Sequence, residues 1–285
     1  MHMNGEAVLY QLETQSPFQV MSYIMQNADG DLVVIDGGGR AEADYLLQNL
    51  KKLSGNKPHI KAWFLTHAHY DHTGAFQQIM EIHADEIVVD RIYYHFPEMS
   101  YVEQYEPKEF HTIAEFQCIK SRFDNITTIV QQGERITIGN LSFLVMHVPN
   151  QAVTNNVLNN SSIVLRCDIG EQRVLFLSDA GIEAGRELLE SWSHEDLHAD
   201  FVQMAHHGQH GVEKQVYEAV APQGCLWTAP RWLWDNDAGN GYNTGPFQTV
   251  IVRGWMEELK VKHHYVDKDG LQVIQFPYRF EPDHH

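Results

Sequence analysis

The chain has 285 residues, 43% of them hydrophobic, with 20 glycines, an ordinary globular composition that excludes wholesale disorder. Its 20 Lys and Arg against 38 Asp and Glu leave a net charge of −18, which repels polyanions at long range and disfavours a binder of long nucleic acid. No apolar run reaches the ~18 residues of a membrane span, and the N-terminus shows neither the basic nor the apolar part of a secretion signal, so cytoplasmic residence is expected.

In chain order, strands are expected at 7–12, 19–26 and 32–35, the last two joined by a hairpin turn at Asn27-Ala28-Asp29-Gly30. Asp36-Gly37-Gly38-Gly39 ends the third strand. No Lys-Ser/Thr follows, so these glycines suit a tight turn rather than a phosphate loop. A helix over 41–53 puts Leu46, Leu47 and Leu50 on one face and stops at Gly55. An apolar strand at 60–65, a helix over 74–82 and a buried strand at 86–90 come next. Residues 91–125, rich in Tyr and Phe and holding a helix near 112–123, read as an insertion lying over one face. Strands resume at 126–130, 135–138 and 141–148, followed by a hairpin of 162–167 and 173–177 about Gly170. Helices over 183–192, 213–220 and 247–259 alternate with strands at 201–205 and 225–228. A final hairpin is expected to join 262–266 and 271–276 through Asp267-Lys268-Asp269-Gly270. Strands in each half with interleaved helices predict two sheets packed face to face and covered by helices, as one domain over 1–285. Cys118, Cys167 and Cys225, odd in number and far apart, read as reduced, buried thiols.

The 18 histidines are clustered, and the densest segment is Thr66-His67-Ala68-His69-Tyr70-Asp71-His72-Thr73-Gly74, directly after an apolar strand. On an extended or turning segment His67 and His69 point the same way, because side chains repeat every two residues. Asp71 and His72 then fall at the start of a helix, turned toward a neighbouring point. One metal could take the first pair and a second metal the other, and imidazole with carboxylate suits Zn²⁺, Fe or Mn²⁺.

This segment is the HxHxDH motif of the metallo-β-lactamase superfamily, and the chain resembles that superfamily in order from about residue 7 to 276. The resemblance implies the four-layer αββα sandwich of the α/β class. It implies that Asp36 in VVIDGGG supports the metal loops, that Asp179 in VLFLSDAG bridges two metals, and that His207 in MAHHGQHG is the last ligand, with His206 its competitor. The implied metal set is therefore His67, His69, Asp71, His72, Asp179 and His207. One departure stands out: the stretch Leu158-Asn159-Asn160-Ser161-Ser162-Ile163-Val164 has no histidine where many relatives carry a third ligand for the first metal. Asn159 or Asn160 could fill that space, and His147 lies upstream of the expected position. NNSSIVL followed by HHG resembles the ComEC-like branch, named for the hydrolase domain of a DNA-uptake protein, which includes nucleases and phosphodiesterase-like enzymes.

The expected chemistry is hydrolysis by a hydroxide bridging two divalent ions, zinc ahead of manganese or iron. Asp71 would also orient the nucleophile and His210 could protonate the leaving group. Phosphoesters rank before lactones, thioesters and β-lactams, and the substrate would be a small molecule in a pocket roofed by 91–125. The other reading is a metal-binding or sensing protein with little turnover. Tyr70 and the aromatic segment 227–234 could flank the pocket or belong to the core, His263 and His264 suit structural positions, and His284-His285 form a terminal tail.

Overall fold

The computed structural model describes residues 6–280, so the tail histidines lie outside the described residues. The first half of the chain lays down β1 (Ala7–Gln11), β2 (Ser22–Asn27), β3 (Leu32–Asp36), α1 (Ala43–Ser54), β4 (His59–Leu65), α2 (Tyr70–Ile82), β5 (Val88–Val89), β6 (Ile92–Tyr94), α3 (Met99–Tyr105), α4 (Phe110–Lys120) and β7 (Thr127–Ile129). The second half supplies β8 (Arg135–Ile138), β9 (Leu141–His147), α5 (Val157–Asn160), β10 (Val164–Ile169), β11 (Gln172–Phe176), α6 (Ile182–Ser191), α7 (His194–Leu197) and β12 (Phe201–Gln203). It continues with α8 (Lys214–Val220), β13 (Gly224–Trp227), α9 (Arg231–Trp234), α10 (Thr249–Glu258), β14 (His263–Val266) and β15 (Gln272–Phe276).

Two mixed sheets result, ordered β15-β1-β2-β3-β4-β6-β7, with β5 beside β4, and β14-β13-β12-β11-β10-β9-β8. Their central strands, such as β3, β9 and β12, are buried on both faces, as strands covered on both sides must be, whereas β8 and β15 alternate. On β3, Val33 and Ile35 face the other sheet and pack with Phe143, Leu165 and Phe176, while Leu32 and Val34 face α1 and α2 through Leu46, Leu50, Phe76 and Ile79. The second sheet mirrors this, with Leu175 and Val202 packing outward on Leu188 of α6, Val216 of α8 and Met256 of α10. The four layers are helices, sheet, sheet, helices, the expected αββα sandwich. Among the described residues no helix is long and apolar enough to cross a membrane.

The turn at Gly30 and the hairpin about Gly170 form as expected, with φ of 87° and 61° at the two glycines. Three expectations are corrected. The final two strands are no hairpin: β14 pairs parallel to β13 in one sheet and β15 antiparallel to β1 in the other, so 267–270 crosses between sheets. Turn residues between two alternating runs look the same in either case; what decides is that Ile274 and Phe276 fill the space between the sheets. Residues 92–94, assigned to the insertion, are β6, paired parallel to β4 and β7. Cys118 is exposed while Cys167 and Cys225 are buried, because the buried stripe of α4 runs through Thr112, Ile113, Phe116 and Ile119 and misses it.

Candidate metal centre

β3 and β4 run parallel in one sheet, and β11, β12 and β13 run parallel in the other. Their carboxyl ends meet, the position where α/β sheets present side chains to ligands. Asp36 ends β3, Thr66 to His69 follow β4, Ser178 and Asp179 follow β11, His206 and His207 follow β12, and Thr228 follows β13. Asp36, Ser178, His206 and His207 adopt positive φ of 54°, 52°, 49° and 58°. Such conformations cost roughly 1–3 kcal/mol each where not enforced, and they gather where the chain must turn abruptly to aim a side chain.

Hydrogen bonds enforce these turns. Trp63 Nε1 donates to the main-chain oxygen of Asp36 (2.8 Å). The Asp36 carboxylate accepts from Thr66 N (2.8 Å) and Thr66 Oγ1 (2.7 Å), and lies 2.7 Å from His72 Nδ1. The Gln203 side chain bonds both N and O of Ser178. The Thr66 and Ser178 hydroxyls, 2.6 Å apart, join the two halves beneath the centre. Asp36 is thus the supporting residue that the sequence suggests. Thr66, Ser178 and Thr228 were not singled out there, although each stands at the end of a strand beside the motifs.

Above this base the donors converge. His67 Nε2 is 3.8 Å from Asp179 Oδ2 and 3.0 Å from His69 Nδ1. His72 Nε2 is 3.2 Å from Asp179 Oδ1, and His207 Nε2 is 3.3 Å from Asp71 Oδ2 and 3.5 Å from Asp179 Oδ2. Two groups able to hold a cation result, His67 with His69 and Asp179, and Asp71 with His72, His207 and Asp179. Cation bonds of ~2.1 Å need donors spaced ~3–4 Å apart, which these distances satisfy. His72 Nε2, His207 Nε2 and Asp179 Oδ1 are buried without a hydrogen-bond partner. Leaving such atoms unpaired is costly, and a cation is what their lone pairs fit.

The charges fit as well. Burial opposes ionisation throughout. The Asp179 and Asp36 carboxylates nevertheless push the His72 imidazole well above its usual range, and Asp179 and Asp71 push His207 up to about 9. Against burial, the neighbouring imidazoles hold Asp71 and Asp179 below the usual carboxylate range. His67, buried and facing His72, is driven well below its ordinary value and stays neutral. Protons on His72 and His207 therefore stand where positive charge is wanted.

The remaining candidates fall outside the two groups. His206 is partly exposed, 3.9 Å from Asp179 Oδ2, and its Nδ1 lies 3.1 Å from the main-chain oxygen of His210, whose own side chain is exposed. His147 is occupied on both sides, Nδ1 by Ser162 O (2.8 Å) and Nε2 by Glu187 (3.0 Å). Asn160 is spent on Asn155, Glu183 and Ala184, whereas Asn159 Oδ1 is buried and unpartnered. His264 accepts from Trp227 Nε1, and His263 contacts the Tyr278 hydroxyl, so both are structural. Trp227 is core, while Trp232 Nε1 donates to Pro17 O and steadies the loop before β2. That loop brings Phe18 and Gln19 beside Tyr70 and Asp71 around a cavity of about 270 Å³, with Gln19 Nε2 donating to Asp71 Oδ2 (3.3 Å). The Tyr70 hydroxyl accepts from Arg40 N (3.2 Å) and its ring is exposed.

Fold and donor set together define an αββα protein with a His/Asp cluster suited to divalent metal. Residues 16–223 match the family described as the Metallo-beta-lactamase superfamily, and the chain belongs to it. It is 40% identical over 78 residues to the "Probable metallo-hydrolase YflN" of Bacillus subtilis (strain 168), a match covering 26% of this chain and only 28% of that protein. The metallo-β-lactamase fold protein YhfI from Bacillus subtilis superposes with a TM-score of 0.55 at 13% identity, covering 95% of this chain and 99% of that one. CmlA, a diiron β-hydroxylase from Streptomyces venezuelae, superposes with a TM-score of 0.57 at 11% identity, over 96% of this chain and 55% of its own.

Proposed function

We propose that the chain is a two-cation hydrolase, acting on a small phosphoester before lactones, thioesters or β-lactams. The observation that carries this reading is the convergence of buried, unpartnered His72 Nε2, His207 Nε2 and Asp179 Oδ1 beside the second donor group of His67 and His69. His67, His69 and Asp179 would hold the first cation and Asp71, His72 and His207 the second, with Asp179 shared. Divalent ions there supply a water made nucleophilic at neutral pH and a counter-charge for the oxyanion of an attacked phosphoryl or acyl group.

The protein's own groups do the positioning. Asp36 accepts from His72 Nδ1 and the Thr228 oxygens face His207 Nδ1 (3.0 and 3.1 Å), so both rings turn their Nε2 lone pairs inward. Gln19 orients Asp71, and Phe18 and Tyr70, 62% and 47% exposed, offer apolar walls to a small substrate. The absence of a histidine from 158–164 supports the ComEC-like branch and with it phosphoester chemistry. Mixed imidazole and carboxylate donors favour zinc over manganese or iron. Net charge −18 supports a small substrate over long nucleic acid, and cytoplasmic residence without membrane attachment fits the same surface.

The three-donor first group is the observation that favours the other reading, a metal-binding or sensing protein. The test is elemental analysis with turnover of bis-p-nitrophenyl phosphate. The expected result is about two metal equivalents per chain, and activity abolished by His69→Ala and by Asp179→Ala. Activity unchanged in both variants overturns the hydrolase reading; tight metal binding without turnover on phosphoester, lactone and thioester panels favours the sensor.

A further inference from the structure

Three of the four histidines in the two donor groups share a rule: one ring nitrogen faces the donor cluster and the other meets a fixed protein group. His72 Nδ1 meets Asp36, His207 Nδ1 meets Thr228, and His67 Nδ1 lies 3.3 Å from Ser178 Oγ. His69 presents its nitrogens the other way round: Nδ1 faces the cluster, 3.0 Å from His67 Nε2, which leaves Nε2 pointing outward. The carboxylate of Glu109 stands there, with Oε2 3.9 Å from His69 Nε2.

Glu109 comes from the segment between α3 and α4, and that segment is tied down. Glu106 Oε2 accepts from Leu158 N (2.9 Å), and the Tyr101 hydroxyl donates to Gln151 O (2.8 Å). Glu109 N donates to Glu106 O (2.9 Å), and Thr112 Oγ1 donates to Glu109 Oε2 (3.3 Å). Glu109 belongs to neither cation-holding group, so its place is behind His69 rather than among the donors.

Resting on the two-cation reading, we infer that Glu109 is a positioning residue: its carboxylate accepts the His69 Nε2–H and so reserves the Nδ1 lone pair for the first cation. The separation of 3.9 Å is an ion-pair distance, longer than a hydrogen bond. The Glu109 side chain is 34% exposed and has rotamers free to close it once Nδ1 is engaged. A carboxylate behind a ligating imidazole fixes its tautomer and raises its basicity. That support falls on the donor group with only three members, where it matters most.

The test is chelator competition with Zn²⁺ on the full chain, resolving two affinities, together with NMR of the Co²⁺-loaded protein. Glu109→Ala should weaken the first site ~10–100-fold and leave the second within about twofold. Glu109→Gln, whose amide oxygen still accepts, should fall between. In the Co²⁺ protein the exchangeable His69 Nε2–H resonance should be sharp in wild type and lost to solvent exchange in Glu109→Ala, a change that a merely structural role would not produce. A Glu109→Ala protein with both affinities and that resonance unchanged overturns the inference alone. A wild-type chain that takes no cation at the first group overturns the two-cation reading and this inference with it.

Discussion

Gly74→Ala tests how the second donor group is aimed. Gly74 lies in the first half of α2, whose opening turn carries Asp71 and His72. A Cβ there would sit 2.6 Å from Arg40 N and 2.9 Å from Gly39 C and Cα, all main-chain atoms. Helix and glycine turn therefore touch backbone to backbone, and Ala75 N donates to Gly38 O (2.9 Å) across the joint. Alanine should gain ~1 kcal/mol of helix propensity. It must also push the helix back by roughly 0.5–1 Å, an overpacking cost of about 1–3 kcal/mol. The net effect is a loss of ~0–2 kcal/mol, a fall in Tm of several degrees at most. The larger effect is local, because a misplacement of ~1 Å at Asp71 and His72 is enough to cost ~100-fold in turnover. Second-site metal affinity should fall more than first-site affinity. Gly254 on α10 is the control: its Cβ would meet nothing within 4 Å, so Gly254→Ala should raise stability by ~1 kcal/mol. Calorimetric Tm and two-site metal titration on both variants decide the matter. A Gly74→Ala protein as stabilised as Gly254→Ala, with both metal sites intact, refutes the claim that this joint positions the donors.

Asp36→Asn keeps a residue type tolerant of positive φ but replaces a carboxylate serving three donors, so urea unfolding should show a loss of about 3–5 kcal/mol, and the His72 titration followed by NMR should move down; an unchanged His72 titration would mean that Asp36 does not govern it. The metal-free chain should lose stability in both pH directions. His72 and His207 have raised values, so their contribution is complete below pH 6.5; that of His207 disappears as the pH rises through about 9, and that of His72 disappears well above pH 6.5. Asp71 and Asp179 have depressed values, so theirs is complete above pH 3.8 and disappears in acid. Second-site metal must displace the His72 and His207 protons, so its affinity should rise ~100-fold per pH unit near pH 7. Calorimetry in buffers of different ionisation enthalpy should find about two protons released, and a release near zero contradicts the charge assignment.

The cluster of donors was readable from the sequence because it is local: four donors within six residues after an apolar strand leave little freedom of arrangement. Asp179 and His207 came from the resemblance to the superfamily, their order along the chain matching its motifs, and the structure brings both beside the HxHxDH segment at the ends of parallel strands. The supports were less visible. Thr66, Ser178 and Thr228 are common residues whose role depends on which strands are neighbours, and Glu109 meets His69 only because Glu106 and Tyr101 pin its segment to 151–158. The hairpin expected at 267–270 fails for the same reason, the segment crossing between the sheets instead. Turn chemistry reports a reversal of the chain but not which sheet receives the next strand.

β15 settles against β1 with Ala7 opposite Phe276, so the earliest strand of the sandwich is completed by the latest. While the protein is being synthesised, the outer edge of β1 presents unpaired amides and carbonyls, and Leu9 lacks Ile274 as a neighbour in the interior. Such an edge can template association with other chains. The sandwich is therefore sealed only once β15 has been made, well after the histidine cluster, and until then that border is open to association with other chains.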